Sequence, residues 1–162
     1  WRPMRAGDLP AVVALGNSVH RDFVEAPDIF AEKFNLYPNG CLTLENESGV
    51  VGYAVSHPWR AGEPPKLDAR LDALPDRPDV LFLHDLCLAA GARRAGVGTE
   101  ALICLVAAAR AARLPAIELV AVSGSAPFWA ARGFRPVEPG ATSLAAYGAD
   151  ARLMRRELSR TP

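Results

Sequence analysis

The segment Val80 to Thr99, VLFLHDLCLAAGARRAGVGT, constrains this chain more than any other. Val80-Leu81-Phe82-Leu83 and Leu86-Cys87-Leu88 form an almost unbroken apolar run, the pattern of a strand covered on both faces. His84 and Asp85 interrupt it. After Ala89 to Ala92 the chain continues Arg93-Arg94-Ala95-Gly96-Val97-Gly98, and from Gly98 or Thr99 it reads as an Ala- and Leu-rich helix to about Ala112. Glycine tolerates positive φ and lets the backbone approach a ligand. A helix start leaves several N–H groups without partners at the positive end of its dipole. A strand, a glycine loop and a helix start, with two arginines alongside, make a phosphate site.

Arg93-x-x-Gly96-x-Gly98, set between a strand and a helix, resembles the acyl-CoA pyrophosphate loop of the GNAT superfamily of N-acetyltransferases. Further on, Ser125-Ala126-Pro127-Phe128-Trp129-Ala130-Ala131-Arg132-Gly133-Phe134 resembles that family's later helix, an aromatic pair followed by Gly-Phe before the next strand. The resemblance covers residues 80–138; elsewhere it rests on element order. It implies acetyl-CoA as acyl donor. By position, the backbone amides of Arg94, Ala95, Gly96, Val97, Gly98 and Thr99 would hold the pyrophosphate, with Arg93 adding charge or structure. Leu86, Cys87 and Leu88 would meet the pantetheine arm and thioester through their backbone, and Ser125 and Phe128 would complete the cofactor contacts. The same loop also fits G-x-G-x-x-A over Gly96 to Ala101, with Glu118 about 20 residues further on, as in a dinucleotide fold. That loop starts too far past its strand, and Glu118 too early in the next one, for a ribose contact.

A charge on a buried strand is costly unless paired or solvated. Adjacent strand residues point to opposite faces, so His84 and Asp85 each need their own partner. Acyl transfer from a thioester to an amine needs a neutral nitrogen, and amines arrive mostly as ammonium. A carboxylate or imidazole nearby can hold the cation and take its proton. Asp85 is read as that group, acting directly or through a water, with His84 and His57 as competitors; a merely structural Asp85 is the plain alternative. In the family the acceptor pocket would form from His57, Trp59, the 60–79 loop and Asn17 to Phe23, where Trp59 and Asp85 suit a cationic amine. His20 reads as a surface residue.

Trp129 departs from the family pattern, which often has a tyrosine there to protonate the leaving thiolate. An indole N–H is no practical acid. Ser125 or Tyr147 could take over, or no acid is needed, since a thiol with pKa near 8.5 leaves tolerably well. The same departure motivates the alternative of a non-catalytic acyl-CoA-binding or regulatory module.

The remaining sequence reads as a strand over Arg2 to Arg5, a helix begun by Asp8 and Pro10, and a second helix restarted at Ala26-Pro27-Asp28 and running through Phe30, Phe34 and Leu36. A hairpin follows (Cys41 to Glu45, Val50 to Ser56), then a proline-rich loop over 60–79 with a short helix at Lys66 to Leu74. Beyond the central segment come a strand at Ala116 to Val122, a short helix to Gly133, a strand at Phe134 to Val137 and a last strand at Ala151 to Leu158. With 162 residues this implies a single α/β domain over 1–162. The resemblance adds a mixed, mostly antiparallel central sheet flanked by helices, whose parallel central strands splay around the thioester.

Eighteen basic and eighteen acidic residues cancel, which argues against bulk attraction to nucleic acid or anionic membrane. No apolar run reaches the roughly 18 residues of a membrane span. The start lacks the apolar core of a secretory signal and also lacks Met, so the chain reads as trimmed or renumbered. Cys41, Cys87 and Cys104 form no CxxC and meet no His pair, so neither a metal nor a disulfide framework is expected and the compartment is read as cytoplasmic. The expected partner is a small-molecule or protein amine, with a homodimer left open.

Overall fold

The computed structural model describes residues 1–21, 23–93, 96–140 and 144–159. Its elements in chain order are β1 (Arg2–Pro3), α1 (Leu9–Val19), α2 (Pro27–Leu36), β2 (Cys41–Asn46), β3 (Gly49–Trp59), β4 (Val80–Leu88), α3 (Val97–Ala111), β5 (Ala116–Ala121), α4 (Ala126–Ala130), β6 (Arg135–Pro136) and β7 (Arg152–Glu157). The seven strands form one sheet in the order β1-β2-β3-β4-β5-β7-β6. Every neighbouring pair is antiparallel except β4 and β5.

Two apolar layers cover the sheet. On one face Val12 of α1 and Phe30 of α2 pack with Tyr53, Val55 and Cys87. On the other, Leu102, Leu105 and Ala109 of α3 pack with Leu81, Leu83, Ile117, Leu119 and Met154, and with Trp129 and Phe134. The alternation of Tyr53 and Val55 against Ala54 between these layers is the period-two pattern of a strand buried on both sides.

Three expectations change at the periphery. The first strand is regular only over Arg2–Pro3, with one further bond from the Met4 amide to the Cys41 carbonyl. The strand expected at Phe134 to Val137 is regular only over Arg135–Pro136, with one further bond from the Val137 amide to the Leu153 carbonyl. The loop after β3 holds no helix at Lys66 to Leu74. Its amides at Asp68, Leu71 and Asp72 are taken instead by the carboxylates of Glu25 and Glu32, at 3.0, 2.8 and 3.2 Å. Asp68 and Asp72 both adopt positive φ (47° and 59°), which a continuous helix does not allow. No helix of the described residues is long and apolar enough to cross a membrane.

Candidate active site

The parallel pair β4 and β5 stays in register for only three residues, Leu81 with Ile117, Phe82 with Glu118 and Leu83 with Leu119. Beyond Leu83 the strands part. A cavity of about 610 Å³ opens in the gap, lined by His84 to Leu88 on one side and Leu119, Val120 and Val122 on the other.

The register of β4 against β3 slips at this point. Val55 faces Asp85 while Ser56 faces Leu83, so His84 is an extra residue in β4. A bulge of this kind shifts every later side chain to the other face. Leu81 and Leu83 therefore pack towards α3, whereas Cys87 packs towards α1 and α2. The strict alternation expected for His84 and Asp85 fails here, because both line the cavity. They are nonetheless not partners.

Asp85 Oδ2 accepts the hydroxyl of Tyr53, and Oδ1 lies 3.2 Å from His20 Nε2. Burial and the Asp85 charge push the Tyr53 phenol far above its ordinary range, so it stays a donor. His20 caps the C-terminus of α1, and its imidazole is held protonated, up to about 10, by its hydrogen bond to Asp85 and a contact with Cys87. The reading of His20 as a surface residue is corrected. Val12, Gly16 and His20 are spaced four apart on one face of α1, and the first two are buried. That spacing was the available signal.

His84 Nε2 lies 2.9 and 3.0 Å from the carboxylate oxygens of Glu25. The fully buried Lys33 of α2 stands 3.6 Å from the same carboxylate, which also accepts the amide of Asp68. Burial alone would raise Glu25; His84, Lys33 and that amide outweigh it and bring Glu25 down to about 2. Sequence reading singled out neither Glu25 nor Lys33, and only an acid next to the α2 start hinted at them.

His57 and Trp59 do not reach this cavity. His57 is fully buried between Trp59, Phe82 and His84, and burial holds it neutral, down to about 3. The Trp59 indole donates to the Glu63 carbonyl at 2.7 Å. Tyr147 lines the cavity, but its hydroxyl donates to the Pro65 carbonyl. Glu118 is fully buried, bonded to the Gly62 amide at 2.9 Å and to Arg155 at 2.5 Å, so it cannot serve a dinucleotide ribose.

The opposite end of the cavity carries the glycine loop. Gly96 caps α3 with φ 94°, a left-handed conformation that side chains rarely adopt, and accepts the Glu100 amide at 2.9 Å. The first-turn amides of α3 have no acceptor within the helix. At Gly98 an added Cβ would come within 2.9 Å of the Phe128 ring. The Arg132 guanidinium lies 3.5 Å over that ring and donates to Thr99 Oγ1 at 3.0 Å. Arg93 donates to the Leu88 carbonyl at 3.0 Å. Gly96, Gly98, Arg93, Arg132, Ser125, Phe128 and Trp129 all face the cavity; Val97 and Thr99 do not line it. Arg94 and Ala95 lie outside the described residues. A bare helix start beside two arginines fits the diphosphate of a CoA thioester in charge and donor chemistry.

The Acetyltransferase (GNAT) family profile matches residues 13–134. This chain belongs to the GNAT acetyltransferase family. No curated protein sequence matches it. Among solved structures the GNAT chain is similar to the loading GNATL domain of CurA from Lyngbya majuscula, with a TM-score of 0.80, 13% identity and 96% of each chain covered. It is also similar to the GphF GNAT-like decarboxylase in complex with isobutyryl-CoA (TM-score 0.76, 17% identity, 96% of this chain and 97% of that one). A third is ribosomal-protein-alanine N-acetyltransferase from Brucella melitensis (TM-score 0.69, 21% identity, 97% and 98%). These likenesses establish the GNAT fold. Chemistry has to be argued from the site, since one fold hosts several reactions.

Proposed function

We propose that this GNAT chain transfers an acetyl group from acetyl-CoA to a primary amine by direct attack on the thioester. One observation carries the reading: a single cavity has a bare helix start with arginines at one end and the Asp85 carboxylate at the other. Acetyl-CoA supplies the activated carbonyl. The α3 amides with Arg93 and Arg132 take up its diphosphate, and β4 from Leu86 to Leu88, which β5 leaves unpaired on that edge among the described residues, offers backbone groups to its arm. Asp85 draws the ammonium in, and the nitrogen attacks once its extra proton has gone to water. Asp85 then accepts the proton that nitrogen releases as the C–N bond forms. Tyr53 and His20 hold that carboxylate in place.

The test is release of free CoA from acetyl-CoA over a broad panel of primary amines. Wild type is expected to release thiol in an amine-dependent way, and Asp85→Asn to lose about 10²–10⁴-fold in rate. A thermal shift with acetyl-CoA but no amine-dependent release would make the chain a binding module instead, as the indole at position 129 invites. Full turnover by Asp85→Asn would remove Asp85 from the chemistry.

A further inference from the structure

We propose that His20, at the end of α1, is the general acid that protonates the departing CoA thiolate. This rests on the acetyl-transfer reading and assigns a step that the reading leaves without a residue. The alternative donors near the cavity are less suited: Ser125 lines it, but an aliphatic hydroxyl is a far weaker acid than an imidazolium. Trp129 offers only an indole N–H and sits in the core against Phe128 and Phe134 at 4.9 and 5.3 Å. The Tyr147 hydroxyl is spent on the Pro65 carbonyl, and the Tyr53 hydroxyl on Asp85.

His20 has the geometry these lack. Its Nε2 edge is buried against Asp85 at 3.2 Å, while about a quarter of the side chain (27%) stays open. It lines the cavity together with Asp85 and Cys87, whose side chains share one face of β4 after the bulge. The backbone of Leu86 to Leu88 is where the thioester would lie, and His20 lines the same cavity with part of its ring open. The groups that act on His20 are Asp85 and Cys87 from β4; Tyr53 of β3 meets Asp85 rather than the imidazole, and Glu25 in the α1–α2 link is paired with His84 and Lys33. Asp85 is the largest of the influences that keep His20 charged, with the Cys87 contact second. An imidazolium held up to about 10 is charged at neutral pH yet close enough to a thiol near 8.5 to part with its proton.

The step balances. The C–N bond forms, the C–S bond breaks with its electron pair going to sulfur, and sulfur takes the proton from the exposed edge of His20. Nε2 keeps its own proton against Asp85 throughout, so Asp85 passes the proton released by nitrogen to water, and water reprotonates the open nitrogen of His20. One proton has moved from nitrogen to sulfur and the pair is restored.

The experiment compares wild type with His20→Gln and His20→Gly, using acetyl-CoA and the best amine of the panel. Both variants should bind CoA as wild type does, by calorimetry, yet lose about 10²–10⁴-fold in kcat. Wild-type rates should fall as pH rises through about 10, and the variants should lack that limb. Added imidazole should restore part of the rate of His20→Gly, which a merely structural histidine would not allow. Variants within twofold of wild type, or an unchanged alkaline limb, would overturn the assignment while leaving the transferase reading intact. A wild type that releases no CoA with any amine would sink both.

Discussion

Gly16 shows how one side chain, here a hydrogen atom, sets the site. A Cβ built there would stand 2.4 Å from the Tyr53 hydroxyl, so α1 approaches β3 closely only because position 16 is bare. The Tyr53 hydroxyl in turn meets Asp85. Gly16→Ala should push the phenol off the carboxylate and destabilise the fold by about 1–3 kcal/mol, the usual cost of overpacking, as read by urea unfolding. Tyr53→Phe keeps the shape and removes only the donor. It should lower kcat about tenfold at nearly unchanged CoA affinity, because Asp85 then has one hydrogen bond fewer to fix its orientation. If Tyr53→Phe turns over like wild type, the phenol serves packing alone. Asp8 is a simpler case, brought down to about 2 chiefly by its paired bonds to Arg2 at 2.7 and 2.9 Å. Its contribution is present above its ordinary 3.8 and is lost as pH falls through 2.

At the scale of elements, the cavity wall around His84 is held by charges that α2 and the segment before it bring inward. Lys33 is fully buried, and among the described residues its charge is met by the Glu25 carboxylate at 3.6 Å. Removing one member of such a pair leaves the other's charge uncompensated, so Lys33→Met should cost about 3 kcal/mol in urea unfolding. Glu25 is depressed to about 2, so its stabilising effect is present above its ordinary 4.5 and lost as pH falls towards 2. Glu25→Gln should flatten the acid limb of stability over that window, and an unchanged limb would show that Glu25 does not govern it. These links also mark where sequence reading stops. The strand, glycine loop and helix of residues 80–112 were legible because hydrophobic period and glycine placement are local properties. Pairing of Glu25 with His84, or of Glu32 with the amides of Leu71 and Asp72, joins residues far apart in the chain, and no local pattern records it. The bulge at His84 was equally hidden. Period two set His84 and Asp85 on opposite faces, whereas the unpaired residue shifts the register and both line the cavity.

For the whole molecule, the bulge and the splay act together. The sheet's β1–β4 half and its β5–β7 half meet through three residue pairs, and α3 bridges them on one face through Leu102, Leu105 and Ala109. The cavity lies where that junction stops, with the helix start of α3 at one end and Asp85 with His20 at the other. A ligand seated there touches both halves and both ends, so its binding energy adds directly to the stability of the junction. At a free CoA concentration one hundred times its Kd, the gain is about 2.7 kcal/mol. For a chain of this size about 2–4 °C accompany each kcal/mol, so Tm should rise by about 5–11 °C. The strongest local effect belongs to β4 beyond Leu83, whose edge towards β5 lacks a strand partner among the described residues: its amides should exchange hydrogen more slowly with CoA bound, while those of β1 and β2 change little. Gly98→Val should blunt both effects, because the new side chain displaces Phe128 and the Arg132 guanidinium stacked on it from the α3 start. Protection that spread evenly over the sheet, or a Tm rise that survived Gly98→Val in full, would place the ligand somewhere other than the open end of the β4–β5 seam.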